Sequence, residues 1–195
     1  MPAKDTGTEE LIRSTAKKLF FKEGKLHATT QDIADAAGMN RSAVHYYFRT
    51  RDQLIALIFA ESMQALSLRL GKVMSAELPF REKIQGLIEV FTNEMMEYPF
   101  QEVFLVTEIN TAGHDLVTKI DEGPVSSFLN EIEKEMHLGT IEKTDPKHFL
   151  INLFSLLSYP IMMSPIYRQF FGMNEHQFDE LIAERRELIT RTMFK

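Results

Sequence analysis

The segment that most constrains this chain runs from Thr29 to Phe48 and reads TTQDIADAAGMNRSAVHYYF. Thr29-x-x-Asp32 starts a short helix that ends at Gly38. Asn40 then caps a second short helix to about Tyr47. Ile33, Ala34 and Ala37 make the apolar face of the first helix, and Val44 and Phe48, four apart, make that of the second. Small Ala34 and Ala37 let the two helices cross closely, and Gly38 supplies the positive φ such a turn often needs. Two helices joined by Gly38-Met39-Asn40 have the spacing of a helix-turn-helix.

The surrounding sequence also reads as consecutive helices. Thr6-x-x-Glu9 opens one whose apolar positions are Leu11, Ile12, Ala16, Leu19 and Phe20, stopping at Gly24. Thr50-x-x-Gln53 opens a long helix to about Glu77. Pro79 suits the first turn of the next, and Pro99 ends it. Further helices are expected over Phe100–Thr111, over Leu116–His137 with Gly123-Pro124 as a break near its start, and over Phe149–Tyr159 after Asp145-Pro146. Asn174 caps the last one. No stretch alternates with period two, and nine Gly and seven Pro are too few for an all-β chain needing a turn every ~8–12 residues. The fold class expected is all-α.

Several chemistries are excluded by what is missing. With no cysteine there is no disulfide framework or thiolate site. The six histidines, at 27, 45, 114, 137, 148 and 176, show no metal-binding spacing. No nucleophile elbow, phosphate loop or dinucleotide fingerprint occurs, so no enzyme activity, cofactor or metal is expected. Phe149–Tyr167 carries no charge, but Pro160 and Pro165 interrupt it, leaving an unbroken helix too short to span a bilayer. Met1–Gly7 has no signal-like apolar run. The expectation is a cytoplasmic protein with no membrane partner.

Charge is unevenly distributed. Residues 1–52 hold nine Lys/Arg against seven Asp/Glu, whereas residues 53–195 hold thirteen against twenty-one. A basic head on an acidic body points the head at a polyanion. The second helix of the hairpin leaves Arg41, Ser42, Ala43, His45, Tyr46 and Tyr47 outside. Arg makes bidentate contacts to guanine, a small apolar side chain meets a thymine methyl, and hydroxyls suit phosphate. A plain helical hairpin with a solvated face is the bland alternative, but it poorly explains two adjacent surface tyrosines.

Over Leu11–Leu54 the chain resembles the TetR family of bacterial transcriptional regulators. The residues carrying the resemblance are Thr29, Ile33, Ala34, Ala37, Gly38, Tyr46, Phe48, Arg49, Arg51, Asp52 and Leu54. It implies a three-helix DNA-binding domain over 1–52 and a helical effector-binding and dimerisation domain over 53–195. It further implies that Thr30 and Gln31 contact phosphate or a base edge, that Arg41, Ser42 and Ala43 face bases, and that Tyr46, Tyr47 and Arg51 hold phosphates. His45 departs from the family's usual Tyr, which leaves its contact open between phosphate and base; Ala43 replaces the common Thr.

The resemblance also implies a body that dimerises through its last two long helices and binds a small effector. Phe149–Tyr159 is apolar nearly all round and needs cover on two sides. Leu150, Leu153, Phe154 and Leu157, with Phe178, Leu181, Ile182, Leu188 and Ile189 of the last helix, are the expected interface. A monomer whose core includes these helices is the alternative. With 15 Phe and 11 Met, the chain has adaptable apolar surface for an apolar or amphipathic effector. Phe59, Met63, Phe91, Met95, Phe104 and Met163 are candidate pocket walls, though each could equally be core. Thr107 and Glu108 lie on the same apolar helix as Phe104, and Glu108 either pairs with a cationic ligand or faces solvent. The function expected is a repressor that binds a palindromic double-stranded operator as a homodimer and is released by its effector. The rival is a DNA-binding protein without ligand response that recruits a partner to chromosomal sites.

Overall fold

Helix caps written into the sequence divide the chain into its elements. The computed structural model describes residues 6–112 and 122–195, with side chains over 6–108 and 123–195; His114 and the expected helix start at Leu116 lie outside the described residues. The elements are α1 (Thr6–Lys17), α2 (Thr30–Ala36), α3 (Arg41–Tyr47), α4 (Arg51–Met74), α5 (Phe80–Glu97), α6 (Gln101–Ala112), α7 (Glu122–Leu138), α8 (Pro146–Met162), α9 (Ser164–Phe171) and α10 (Glu175–Met193). Among the described residues there is no strand, so the chain is all-α.

The caps work as their residue types require. Asn174 Oδ1 accepts from Gln177 N at 2.9 Å while Gln177 Oε1 accepts from Asn174 N at 2.9 Å. Asp145 Oδ1 accepts from Lys147 N at 2.8 Å in front of Pro146. Each satisfies backbone donors that a helix start leaves without a partner.

Three expectations change. First, Pro160 does not end α8, which runs on to Met162 before the chain bends by 68° into α9, a helix the sequence reading missed. A proline in a final turn removes one late hydrogen bond, which a helix anchored by Leu150, Leu153, Leu157 and Ile161 tolerates. Second, α7 is helical through Gly123-Pro124, where a break was expected. Third, α1 continues as a π-helical turn over Lys18–Lys22. Gly24 follows at φ +67°, and a Cβ on it would stand 3.0 Å from the Phe100 ring.

The described chain forms two compact units, residues 6–65 with 97–112 and residues 66–96 with 122–195. The first is larger than the expected 1–52 head because it takes in α6. Its core joins Ile12, Ala16, Phe20, Phe21, Ile33, Ala34, Val44 and Leu54 to Phe104. Phe104 stacks on Phe20 at 4.9 Å between centroids and meets Phe21 edge-on at 5.3 Å. The second unit is organised around Phe80, whose ring lies within 6 Å of those of Phe128, Phe149 and Phe194. Its buried Lys83 is neutralised by Glu131 at 2.6 Å. By length and composition α4 could also cross a membrane. Its apolar side chains are spent elsewhere, Leu54, Ile55 and Ile58 in the first core and Leu66 and Met74 in the second.

Candidate nucleic-acid interface

The DNA-reading candidates sit on α2 and α3, and local chemistry fixes both helices. Thr29 caps α2: its Oγ1 accepts from Asp32 N at 3.2 Å, and Asp32 Oδ2 accepts from Thr29 N at 2.7 Å. These bonds from Thr29, helped by nearby Lys25, hold the Asp32 carboxyl below the usual carboxylate range. The turn passes through Gly38 at φ +69°, where conformation rather than space demands glycine, since a Cβ would meet nothing within 4 Å. Asn40 Oδ1 then accepts from Ala43 N at 2.8 Å and starts α3.

Ile33, Ala34 and Val44 are fully buried and Phe48 nearly so, which fixes how α3 sits against α2. Arg41, Ser42, His45 and Tyr46 consequently stand on the exposed side of α3, with Ala43 and Tyr47 half-buried beside them. Tyr46 is 56% exposed, unusual for so large a ring, and meets Tyr47 edge-on at 5.2 Å. On α2, Gln31 is exposed and its Nε2 donates to Asp35 Oδ1 at 2.7 Å, while Thr30 is half-buried. One short helix therefore presents a cation, a hydroxyl, an imidazole and two phenols together, a set able to grip phosphates and read base edges.

Arg51 is engaged within the chain. Its Nε donates to the Ala28 carbonyl at 2.9 Å and its Nη2 to the Leu26 carbonyl at 2.6 Å. The guanidinium also lies 5.3 Å over the Phe20 ring and 3.7 Å from Glu108. These donors are turned to the chain itself. The Glu108 carboxylate, 16% exposed, faces this cation.

The effector candidates fall in both units. Phe59, Met63, Phe104, Thr107 and Glu108 belong to the first unit; Phe91, Met95 and Met163 belong to the second. Phe104 lies in the core of the first unit, and Phe59 is buried on α4. Thr107 Oγ1 donates within its own helix to the Val103 carbonyl at 2.8 Å. Phe91 and Met95 lie in the second core, where Phe91 packs on Phe154 at 5.0 Å, and Met163 is half-buried at the end of α8. The sequence reading also passed over Glu94, buried on α5 and paired with Arg69. A lone Glu on a helix gives no sign of burial, so nothing in the sequence pointed to it.

The residues expected at the dimer interface lie mostly within the core of the second unit. Leu150, Leu153, Leu157, Phe178, Ile182 and Ile189 are buried in the chain's own core, and Phe154 and Leu181 are half-buried against it. Of the nine residues only Leu188 stands largely free, at 47% exposure. The outward stripe of α8 is instead Ile151, Asn152, Ser155 and Tyr159. Asn152, Ser155 and Tyr159 line a groove of about 730 Å³ floored by Phe149, Leu156 and Met193.

Residues 12–58 match the family model of the bacterial regulatory proteins, tetR family. The chain is 23% identical over 164 residues to the HTH-type transcriptional repressor KstR2 of Rhodococcus jostii (strain RHA1), covering 73% of this chain and 80% of that protein. Its fold is similar to a TetR family transcription regulator from Marinobacter aquaeolei VT8, with TM-score 0.64, 17% identity and full coverage of both chains. It is also similar to AibR, solved in complex with isovaleryl coenzyme A and operator DNA, with TM-score 0.59, 17% identity and coverage of 79% and 85%.

Proposed function

Since the chain belongs with the TetR family of transcriptional regulators by its head and its fold, we propose that it is a ligand-responsive repressor that binds a two-fold operator as a homodimer. The observation that carries this reading is α3, whose exposed Arg41, Ser42, His45 and Tyr46 face away from a core that fixes the helix rigidly. Its N-terminal half carries the residues that would meet base edges, and the tyrosines that would meet phosphates follow. Such a protein works in the cytoplasm, where bacterial DNA is.

Two recognition helices enter successive major grooves when they lie about 34–36 Å apart, so the operator's symmetry must match a dimer's. We place the dimer contact on the outward stripes of α8 and α10, where Ile151, Tyr159 and Leu188 are 58%, 54% and 47% exposed. Their partner copies would fill the groove at Asn152 and Ser155. The effector is apolar or amphipathic and is taken up by the second unit near Phe91 and Met95, where thioether and aromatic surfaces repack readily. That AibR was solved with an acyl thioester of coenzyme A and with operator DNA supports an amphipathic ligand for this fold. Binding there changes the spacing of the two heads, and the coupling must be reciprocal: DNA weakens the effector as the effector weakens DNA.

Selection of duplexes from a randomised pool, followed by footprinting on the source genome, tests the reading. The expected result is a palindrome protected on two successive turns and released by a small amphipathic molecule. A dimer that selects a palindrome which no small molecule releases would instead favour a DNA-bound recruiter of other proteins.

A further inference from the structure

We infer that Arg51 and Glu108 form a clamp that positions the front of α2 for DNA reading, and that Arg51 does not itself contact phosphate. The inference rests on the reading of the head as DNA-binding. It starts from the directions in which the Arg51 guanidinium is already committed. Nε and Nη2 take the carbonyls of Ala28 and Leu26, Glu108 stands 3.7 Å from Nη2, and the Phe20 ring lies beneath. A planar fork with fixed donor directions suits such a set, whereas an ammonium is a point charge that cannot span it.

The two carbonyls belong to the tight segment after Gly24, in which Leu26 N donates to the Gly24 carbonyl and Ala28 N to the Lys25 carbonyl. Ala28 directly precedes Thr29, the cap of α2. What holds Leu26 and Ala28 therefore sets where α2 begins, and α2 carries Gln31 and supports α3 through Ile33 and Ala34. Glu108 contributes negative charge at the guanidinium's side. It offsets the cost of keeping a cation only 27% exposed, and a phosphate arriving there would meet repulsion. Both residues are positioning residues. Through Glu108 and then Arg51, α6 is linked to the start of the DNA-reading hairpin.

Two substitutions in the full-length protein test this. Arg51→Lys keeps the charge and its reach but loses the fork. Glu108→Gln keeps the shape and removes the charge at a residue that a phosphate-contact reading does not use. Hydrogen–deuterium exchange of the free protein reads the clamp without DNA. Faster exchange over residues 26–36 in both variants, with α7 and α8 unchanged, is expected. Unchanged exchange in that segment would overturn the proposal.

The second readout is affinity against salt, on a duplex selected by the wild type from a randomised pool. A lost phosphate contact flattens the slope of log K against log salt by about 0.9. The clamp predicts several-fold weaker binding in both variants with the wild-type slope, and a double variant no weaker than the worse single one. Normal affinity in Glu108→Gln, or a flattened slope in Arg51→Ala, would overturn it. If the wild type selects no duplex, the DNA-binding reading fails, while the exchange experiment still decides the clamp.

Discussion

Phe104 stacks on Phe20 at 4.9 Å, so a side chain from α6 completes the core beneath a reading hairpin that ends before residue 50. Both rings are essentially fully buried, and Phe21 closes the cluster edge-on to Phe104 at 5.3 Å. Phe104→Ala should therefore destabilise the first unit by about 3–5 kcal/mol, the usual cost of emptying a buried aromatic site. A fragment ending at residue 65 should fail to fold, because it lacks this ring. Denaturant melts followed by circular dichroism check both. A fragment that folds as stably as the whole chain would show that α6 is dispensable to the head.

Arg41 is the obligate cation at the start of α3, and it stands exposed. Arg41→Ala should weaken specific binding by about 1–3 kcal/mol per half-site and relax preference at one base pair. Competition between selected and random duplexes distinguishes the roles. Equal losses on both would show that Arg41 touches only the backbone of the DNA.

The elements most legible in the sequence were those set by side chains acting on their own neighbours. Thr29, Asn40, Asp145 and Asn174 cap helices because each lies within three residues of the backbone group it serves. The hairpin face was legible for the same reason, since burying Ile33, Ala34 and Val44 leaves Arg41, Ser42, His45 and Tyr46 outside. The partners of Arg51 were not legible, because a cation beside a reading helix looks like a phosphate arm. Only the folded chain brings it the carbonyls of Leu26 and Ala28 and the carboxylate of Glu108. The outward side of α8 was less legible, because apolar residues nearly all round the helix suggested two covered sides. Leu150, Leu153 and Leu157 all turn inward, and the outward side is the mixed stripe of Ile151, Asn152, Ser155 and Tyr159.

The two sides of α8 separate two substitutions. Ile151 is 58% exposed, whereas Leu153, two residues on, is fully buried. Ile151→Asp should leave a folded chain that no longer dimerises, with operator binding lost alongside the dimer. Leu153→Asp should unfold the second unit, since a carboxylate buried without a partner costs several kcal/mol. Light scattering and circular dichroism on both proteins decide it. A stable dimer in Ile151→Asp would move the contact off this stripe.

The cap on α2 carries a pH dependence whose sign follows from Asp32. Its carboxylate accepts from Thr29 Oγ1 and Thr29 N, each at 2.7 Å, and these bonds, with the nearby Lys25 charge, lower its proton affinity in the folded chain. A carboxyl depressed on folding stabilises the fold above its unfolded pKa and loses that contribution as pH falls through the folded value. With the unfolded value at ~3.9, the contribution is present above that pH and is lost as the pH falls through the lower folded value. Asp32 is fully exposed, so the effect is local to α2 and appears most clearly in the exchange of its amides. Asp32→Asn keeps an acceptor but not the charge. Exchange over residues 30–36 should be faster in the variant than in the wild type at pH 6, with the two converging as the pH is lowered. Rates corrected for intrinsic exchange that differ by the same factor at every pH would mean that the cap holds α2 by shape and that the Asp32 charge adds nothing.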